Sequence, residues 1–214
     1  PILATLPCHP ADLAARVVGC AGLHQIRPAT CFDCSHTPPL VTGGCGFIGS
    51  RMVKQLLENT AHNVIVIDKL SYASKGLKRL RKYVSPEHQK RVAFFSVNLC
   101  CLPEDGLLEE LSDVQYVIHM AADTHVDRSI SAPLSCISNN IQATANILEV
   151  AKQLKNLKCF LHFSTDEVYG PCPPEAISFK EIDCLRPSNP YSASKAASEM
   201  LCFAWKNTYE LPIR

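Results

Sequence analysis

Leu40-Val41-Thr42-Gly43-Gly44-Cys45-Gly46-Phe47-Ile48-Gly49-Ser50 decides how this chain is read. A short apolar strand runs through a glycine-rich turn into an amphipathic segment, Phe47 to Glu58. Gly43, Gly46 and Gly49 recur at every third position, the spacing at which a strand-to-helix turn offers backbone N–H groups to a phosphate. A side chain at Gly43 would obstruct the turn, one at Gly46 would keep a ligand away, and one at Gly49 would hold helix and sheet apart. The helix that follows directs the positive end of its dipole at the same spot. Asn63–Ile67 reads as a second buried strand, closed by Asp68 about 20 residues after the turn. A carboxylate there accepts both ribose hydroxyls of an adenosine and repels a 2′-phosphate; its plainer use is to cap the next segment. Strand, glycines, helix, strand and acid in this order read as a dinucleotide-binding unit.

Upstream, residues 1–39 do not match this pattern. Pro1, Pro7, Pro10, Pro28, Pro38 and Pro39 interrupt them, and only Pro10–Gly19 hints at periodicity. An irregular extension is expected over 1–39. Cys31, Cys34 and His36 resemble half of a metal site, with Cys8, His9, Cys20 and His24 as possible completing ligands. Only one pair is convincingly spaced, so no metal is expected. Pro38 and Pro39 stand directly before Leu40, and proline cannot donate to a sheet ladder, so the first strand must be very short.

Downstream, strand and helix alternate, which predicts an α/β fold with a doubly wound parallel sheet over 40–214. Arg91–Val97 is expected as the third strand, Pro103–Leu111 as a short helix, and Val114–Met120 as the fourth strand. Pro133–Leu154 carries Ile137, Ile141, Ala145, Leu148 and Ala151 along one helical face. Lys158–Ser164 is the fifth strand, Pro190–Tyr209 a helix, and Leu211–Arg214 the opening of a sixth strand.

The totals narrow the class. The 214 residues are 47% hydrophobic with a net charge of +1, enough for a core and too balanced to form a nucleic-acid-binding field. No apolar run approaches the roughly 18 residues that span a bilayer, and no secretory signal with a cleavage site is recognisable, leaving the cytosol as the expected location. The 12 cysteines are scattered, not framed. Cys136, Cys159 and Cys202 fall in apolar segments, which favours reduced thiols.

Two clusters carry chemistry. Tyr191 and Lys195 stand four apart on a helix and so share a face. A nearby ammonium favours phenolate and should lower the tyrosine pKa from about 10, making Tyr191 a general base for an alcohol. Ser164-Thr165-Asp166-Glu167 follows the fifth strand at the carboxyl edge, where open α/β sheets bind ligands. Adjacent acids can divide the elimination of water, one protonating the leaving hydroxyl while the other removes a carbon-bound proton. The plainer reading is a helix N-cap, weakened because Val168-Tyr169-Gly170-Pro171 does not continue as a helix.

Thr42–Ser50, Asp68–Ala73, His119–Ser129, Ser164–Gly170 and Asn189–Lys195 together resemble the motif series of the extended short-chain dehydrogenases/reductases, in particular the nucleotide-sugar 4,6-dehydratase branch. The Thr-Asp-Glu run separates that branch from epimerases and decarboxylases. The resemblance implies a Rossmann domain over 40–214 that lacks a carboxyl-terminal substrate domain, bound NAD, and a nucleoside-diphosphate sugar as substrate. It implies oxidation at C4, loss of water across C5–C6 and reduction at C6. Tyr191, Lys195, Asp166, Glu167 and Thr165 would be catalytic, with Tyr191 taking the 4-hydroxyl proton, Glu167 the C5 proton, and Asp166 protonating the 6-hydroxyl. Gly43, Gly46, Phe47, Ile48, Gly49, Asp68, Lys69, Ser71, Asn98, Leu99, Ala121, Ala122, Asn139, Ser164, Tyr191 and Lys195 would bind the cofactor. Thr124 and Thr165–Glu167 would bind the sugar, and Asn140 would be structural. Helices at 133–154 and 190–209 pair such chains into homodimers.

Three departures stand out against the family pattern. Asn98-Leu99 replaces Asp-Ile beside adenine, Ala143 replaces a glycine, and Cys45 replaces an alanine. A non-catalytic NAD-binding fragment and a sugar-nucleotide epimerase are the alternatives.

Overall fold

The computed structural model describes residues 37–72, 74–102, 105–172 and 178–214. The cysteines and histidines of residues 1–36, with the half-site they suggest, lie outside the described residues.

Five parallel strands form one sheet: β1 (Leu40–Thr42), β2 (Val64–Asp68), β3 (Val92–Ser96), β4 (Tyr116–His119) and β5 (Cys159–His162), in the order β3-β2-β1-β4-β5. β1 is central and three residues long, and all three are buried. Pro39 contributes what a proline can, its carbonyl accepting the Ile65 N–H at 3.0 Å. Thr42 aligns with Ile67 on one side and His119 on the other, so the carboxyl ends of β2, β1 and β4 finish level. The order reverses between β1 and β4, and that reversal opens a crevice above the edge.

The helices are α1 (Phe47–Asn59), α2 (Lys78–Tyr83), α3 (Pro86–Gln89), α4 (Asp105–Glu110), α5 (Val126–Ser131), α6 (Pro133–Gln153) and α7 (Pro190–Tyr209). β2 explains why both sheet faces are covered. Ile65 and Ile67 join Leu40, Val117 and Phe160 in a core sealed by Ile147, Leu148 and Ala151 of α6. Val64 and Val66 point the other way, onto Val53 and Leu57 of α1 and Leu80 of α2. A continuous apolar strand with period-2 side chains thus feeds two cores.

α6 and α7 approach closely because small polar residues meet: Asn140 Nδ2 donates to Ser194 Oγ (2.8 Å) and Thr144 Oγ1 to Ser198 Oγ (3.2 Å). α7 begins sharply because Asn189 and Ser192 form a capping box ahead of Pro190 at the first helical position.

The elements fall where the sequence puts them, with shorter strands. β4 covers 116–119 instead of 114–120 because Val114 N–H closes a turn on the Leu111 carbonyl (2.9 Å). β5 covers 159–162 instead of 158–164, and α4 starts at Asp105; Pro103 and Glu104 lie outside the described residues. The expected sixth strand is a single parallel bridge, Ile213 to Phe160. Cys45, Cys136, Cys159, Cys184 and Cys202 are free thiols, and no described helix is long and apolar enough to cross a membrane.

Candidate active site

The glycine turn between β1 and α1 forms one wall of the crevice. Gly43 has φ +70°, and a Cβ there would lie 2.9 Å from the Ala121 backbone. A Cβ at Gly49 would come 2.1 Å from the Gly43 carbonyl oxygen, which fuses helix and turn. At Gly46 the nearest atom to such a Cβ is the Gly43 oxygen at 3.1 Å, and its remaining face is open to the cleft. Gly44 is equally constrained, its Cβ position lying 2.5 Å from Val66 Cγ1, although it lies outside the three-residue spacing.

Asp68 is 7% exposed, and both its oxygens are held: Oδ2 accepts the Cys45 N–H (3.0 Å) and Oδ1 the Leu70 N–H (2.7 Å). Burial pushes its carboxyl pKa up, while the two N–H donors and Lys69 act against that. The capping role is thus observed at this acid, which also lines the cleft. Cys45 is fully buried, and burial with the Asp68 charge drives its thiol pKa upward, so it packs as a small hydrophobe.

The cleft holds about 380 Å³. Among the expected cofactor residues, Gly43, Gly46, Phe47, Ile48, Asp68 and Lys69 line it from the β1–β2 side. Ser71, Asn98 and Leu99 line the far end, and Ala121, Ala122 and Asn139 the β4 side, with Thr124 beside them. Gly49 sits behind the wall as a packing position. Asn98 Oδ1 accepts the Cys100 N–H (3.1 Å), so a local turn takes up its carbonyl. Lys69 reaches across the mouth, its Nζ donating to Asn139 Oδ1 (2.6 Å) and Asp123 Oδ2 (3.3 Å). Sequence reasoning missed Asp123, Ser74 and Arg79; they come from the loop after β4, the loop after β2 and α2, with no shared spacing.

Beyond β5 lies the second cluster. Thr165 caps one 3-10 turn over Asp166–Tyr169, its Oγ1 accepting the Glu167 N–H at 3.4 Å. The N-cap reading thus holds for a single turn, which ends at Gly170 with φ +85°. The same turn sets Asp166 and Glu167 beside Tyr191, whose hydroxyl bonds the Thr165 side chain. Tyr191 is 7% exposed.

The expected effect of Lys195 on Tyr191 is overturned. Burial, followed by the Glu167 charge, raises the Tyr191 pKa above its ordinary 10, and only the Thr165 bond opposes them. Lys195 shares the helical face, yet its Nζ donates to the Phe163 carbonyl (2.6 Å) and meets His162 Nε2 (3.4 Å). The ammonium is spent on the end of β5. Burial lowers its own pKa to about 8 at 4% exposure. Ser164 likewise turns from the cleft, its hydroxyl donating to Glu199.

Two histidines underlie this end. Thr42 Oγ1 accepts the Met120 and Ala121 N–H groups (3.1 and 3.2 Å), so its proton points at His119 Nδ1 (2.8 Å). His119 therefore carries its proton on Nε2 and donates to Thr144 Oγ1 (3.1 Å). It is 1% exposed, and burial holds its pKa well below 6.5. His162 lies 5.5 Å away, ring to ring, with a pKa lowered to about 3 by burial and then by Lys195. Both end parallel strands in register, a clue visible in sequence only once the strand order is known.

Among the described residues no group of three or more His, Cys, Asp or Glu side chains could hold a metal. A dinucleotide fits better: a backbone cradle that a Cβ would fill and a buried carboxylate one strand over, both on the wall of one cleft.

Residues 40–214 match the family described as GDP-mannose 4,6 dehydratase. The chain is 40% identical over 190 residues to dTDP-glucose 4,6-dehydratase of Escherichia coli, covering 81% of this chain and 51% of that protein. It superposes with TM-score 0.71 and 38% identity on the dTDP-glucose 4,6-dehydratase DesIV of Streptomyces venezuelae, solved with NAD and TYD bound, covering 83% of this chain and 54% of that one. A UDP-N-acetylglucosamine 4-epimerase of Methanobrevibacter ruminantium matches at TM-score 0.71 and 32% identity, covering 83% and 53%. The chain spans about half the length of the curated relatives it matches.

Proposed function

The chain belongs to the GDP-mannose 4,6 dehydratase family, and from that premise we propose that it forms the NAD-binding, acid–base half of a dTDP-glucose 4,6-dehydratase, a hydro-lyase. One observation carries the reading: Thr165, Asp166 and Glu167, in the turn after β5, all act on the Tyr191 phenol.

NAD, when bound, would supply a hydride acceptor for C4 whose ring is positively charged until reduced, and in its reduced form the hydride donor for C6. Gly43 and Gly46 leave room for its pyrophosphate at the start of α1, and Asp68 takes the adenosine ribose. Burial and the Glu167 charge keep Tyr191 a phenol, with the Thr165 side chain opposing the upward shift. Tyr191 therefore accepts the proton of the sugar 4-hydroxyl only as the phenolate that the positive charge of bound NAD would favour. The C4 ketone acidifies the C5 proton, which Glu167 removes and later returns. Asp166 protonates O6, which leaves as water. Lys195 anchors α7 to β5 through the Phe163 carbonyl and so holds Tyr191 against the cleft.

The 4-epimerase among the matched structures favours a second reading, redox at C4 without elimination. Adjacent carboxylates beside the phenol argue against it, because epimerisation at C4 gives them no proton to move. The test is product analysis after incubation with dTDP-glucose and, separately, UDP-glucose. Dehydration gives a 4-keto-6-deoxy sugar lighter by one water, and Y191F gives none. An isomer of unchanged mass would establish the epimerase, and binding of NAD without any sugar product would leave a cofactor-holding unit.

A further inference from the structure

We propose that Asn189 is a positioning residue for Glu167, coupling the elimination base to the helix that carries Tyr191; the proposal rests on the dehydratase reading above. Asn189 is the N-cap of α7. Its Oδ1 accepts the Ser192 N–H (2.8 Å), and its own N–H donates to Ser192 Oγ (3.2 Å). Because a backbone N–H must meet an oxygen, this bond fixes which way the amide faces. Nδ2 is thereby turned outward, and it donates to Glu167 Oε2 at 3.1 Å. Pro190 restricts the backbone of the residue before it to the extended region, where Asn189 lies at φ −146°. The amide has no second orientation that keeps the helix capped.

Glu167 needs such a partner. It stands in a single 3-10 turn whose start is capped by the Thr165 hydroxyl, at a long 3.4 Å. One turn does not orient a carboxylate by itself. Asn189 engages Oε2 and leaves Oε1 for the C5 proton. Tyr191 follows Asn189 by two positions in the same capped turn, so one amide registers the base that works at C5 against the phenol that works at O4. A misplaced base slows elimination specifically, because oxidation at C4 does not use it.

The test separates capping from positioning. In the full chain supplied with NAD and dTDP-glucose, N189S keeps a side chain that caps a helix but is too short to reach Glu167. N189D also caps, and sets a second carboxylate against Glu167. Both variants are expected to melt within a few degrees of the parent. Elimination should fall about 10-fold in N189S and about 100-fold in N189D. Formation of the 4-keto sugar that still carries its 6-hydroxyl should stay at the parental rate, so this species accumulates in quenched samples. Solvent deuterium should enter C5 more slowly in step with elimination. Parental elimination rates in N189S, or equal losses of oxidation and elimination, would overturn the positioning role alone. A parent chain that oxidises no sugar nucleotide would remove the dehydratase reading and this proposal with it.

Discussion

The two ends of the crevice are built from different materials. The end above β1 and β2 is backbone and packing: Gly43 at φ +70°, Gly49 pressed on the Gly43 carbonyl, and Asp68 tied down by two N–H groups. The end beyond β5 is titratable side chains: Tyr191, Asp166 and Glu167 on one side, His119, His162 and Lys195 beneath. The first end is shaped by what cannot fit, the second by where protons reside. Damage to each should therefore differ in kind.

The largest contrast is between binding and turnover. Y191F removes the proposed acceptor of the 4-hydroxyl proton while leaving the glycine turn untouched. Turnover of dTDP-glucose should fall by about 10²–10⁴-fold, with NAD affinity by calorimetry unchanged. G43V does the reverse. It forces a branched side chain into positive φ and against the Ala121 backbone 2.9 Å away, so it should cost about 1–3 kcal/mol of stability and abolish NAD binding. G46A sharpens the point: its Cβ meets only the Gly43 oxygen, at 3.1 Å. It should melt close to the parent yet bind NAD more weakly. Loss of NAD binding in Y191F, or parental binding in G43V, would break the division.

The same division explains what the sequence disclosed. Glycine spacing and an acid one strand later are local, and each maps directly onto the wall of the cleft. The proline pair before Leu40 foretold a three-residue β1 because a missing N–H is a local fact. The acid run and Tyr191 were found as residues, but not their electrostatics. Helical spacing places Lys195 one turn from Tyr191; it does not say that the Phe163 carbonyl, 32 residues back, claims the ammonium. His119 and His162 passed unnoticed because their pairing arises from the β4–β5 register. Lys69, Asp123 and Asn139 meet only after two loops and α6 converge. Local chemistry was legible; long-range partnership was not.

The buried basic cluster gives an intermediate effect, read in stability. His162 has a folded pKa of about 3 against 6.5 in an open chain, so between those values the unfolded chain binds a proton that the folded one excludes. The histidine contribution to stability is whole above pH 6.5 and falls on acidification by about 1.4 kcal/mol per pH unit for each such group. His119, also held well below 6.5, adds in the same window. Lys195 repeats the sign at higher pH: with a folded pKa of about 8 against 10.5, it makes stability climb as pH rises through that interval. H162Q keeps an acceptor for Lys195 and cannot titrate. Denaturant unfolding from pH 6.5 to 4 should lose one proton's worth of slope in H162Q. An unaltered slope would mean that His162 is protonated in the fold.

The smallest effect belongs to the Lys69 bridge across the mouth. Its contacts, 2.6 Å to Asn139 and 3.3 Å to Asp123, join the loop after β2 to the loop after β4 and to α6. Lys69 and Asp123 side chains are 33% and 26% exposed, so salt screens the ionic part and its worth is below about 1 kcal/mol. K69A should speed NAD dissociation about 3- to 5-fold at low salt, and the difference should shrink as ionic strength rises. Y191F, at the other end, should release NAD at the parental rate at every salt concentration. If K69A and the parent shed the cofactor equally at low salt, the mouth is held by packing alone, and the backbone end of the crevice needs no charge to close it.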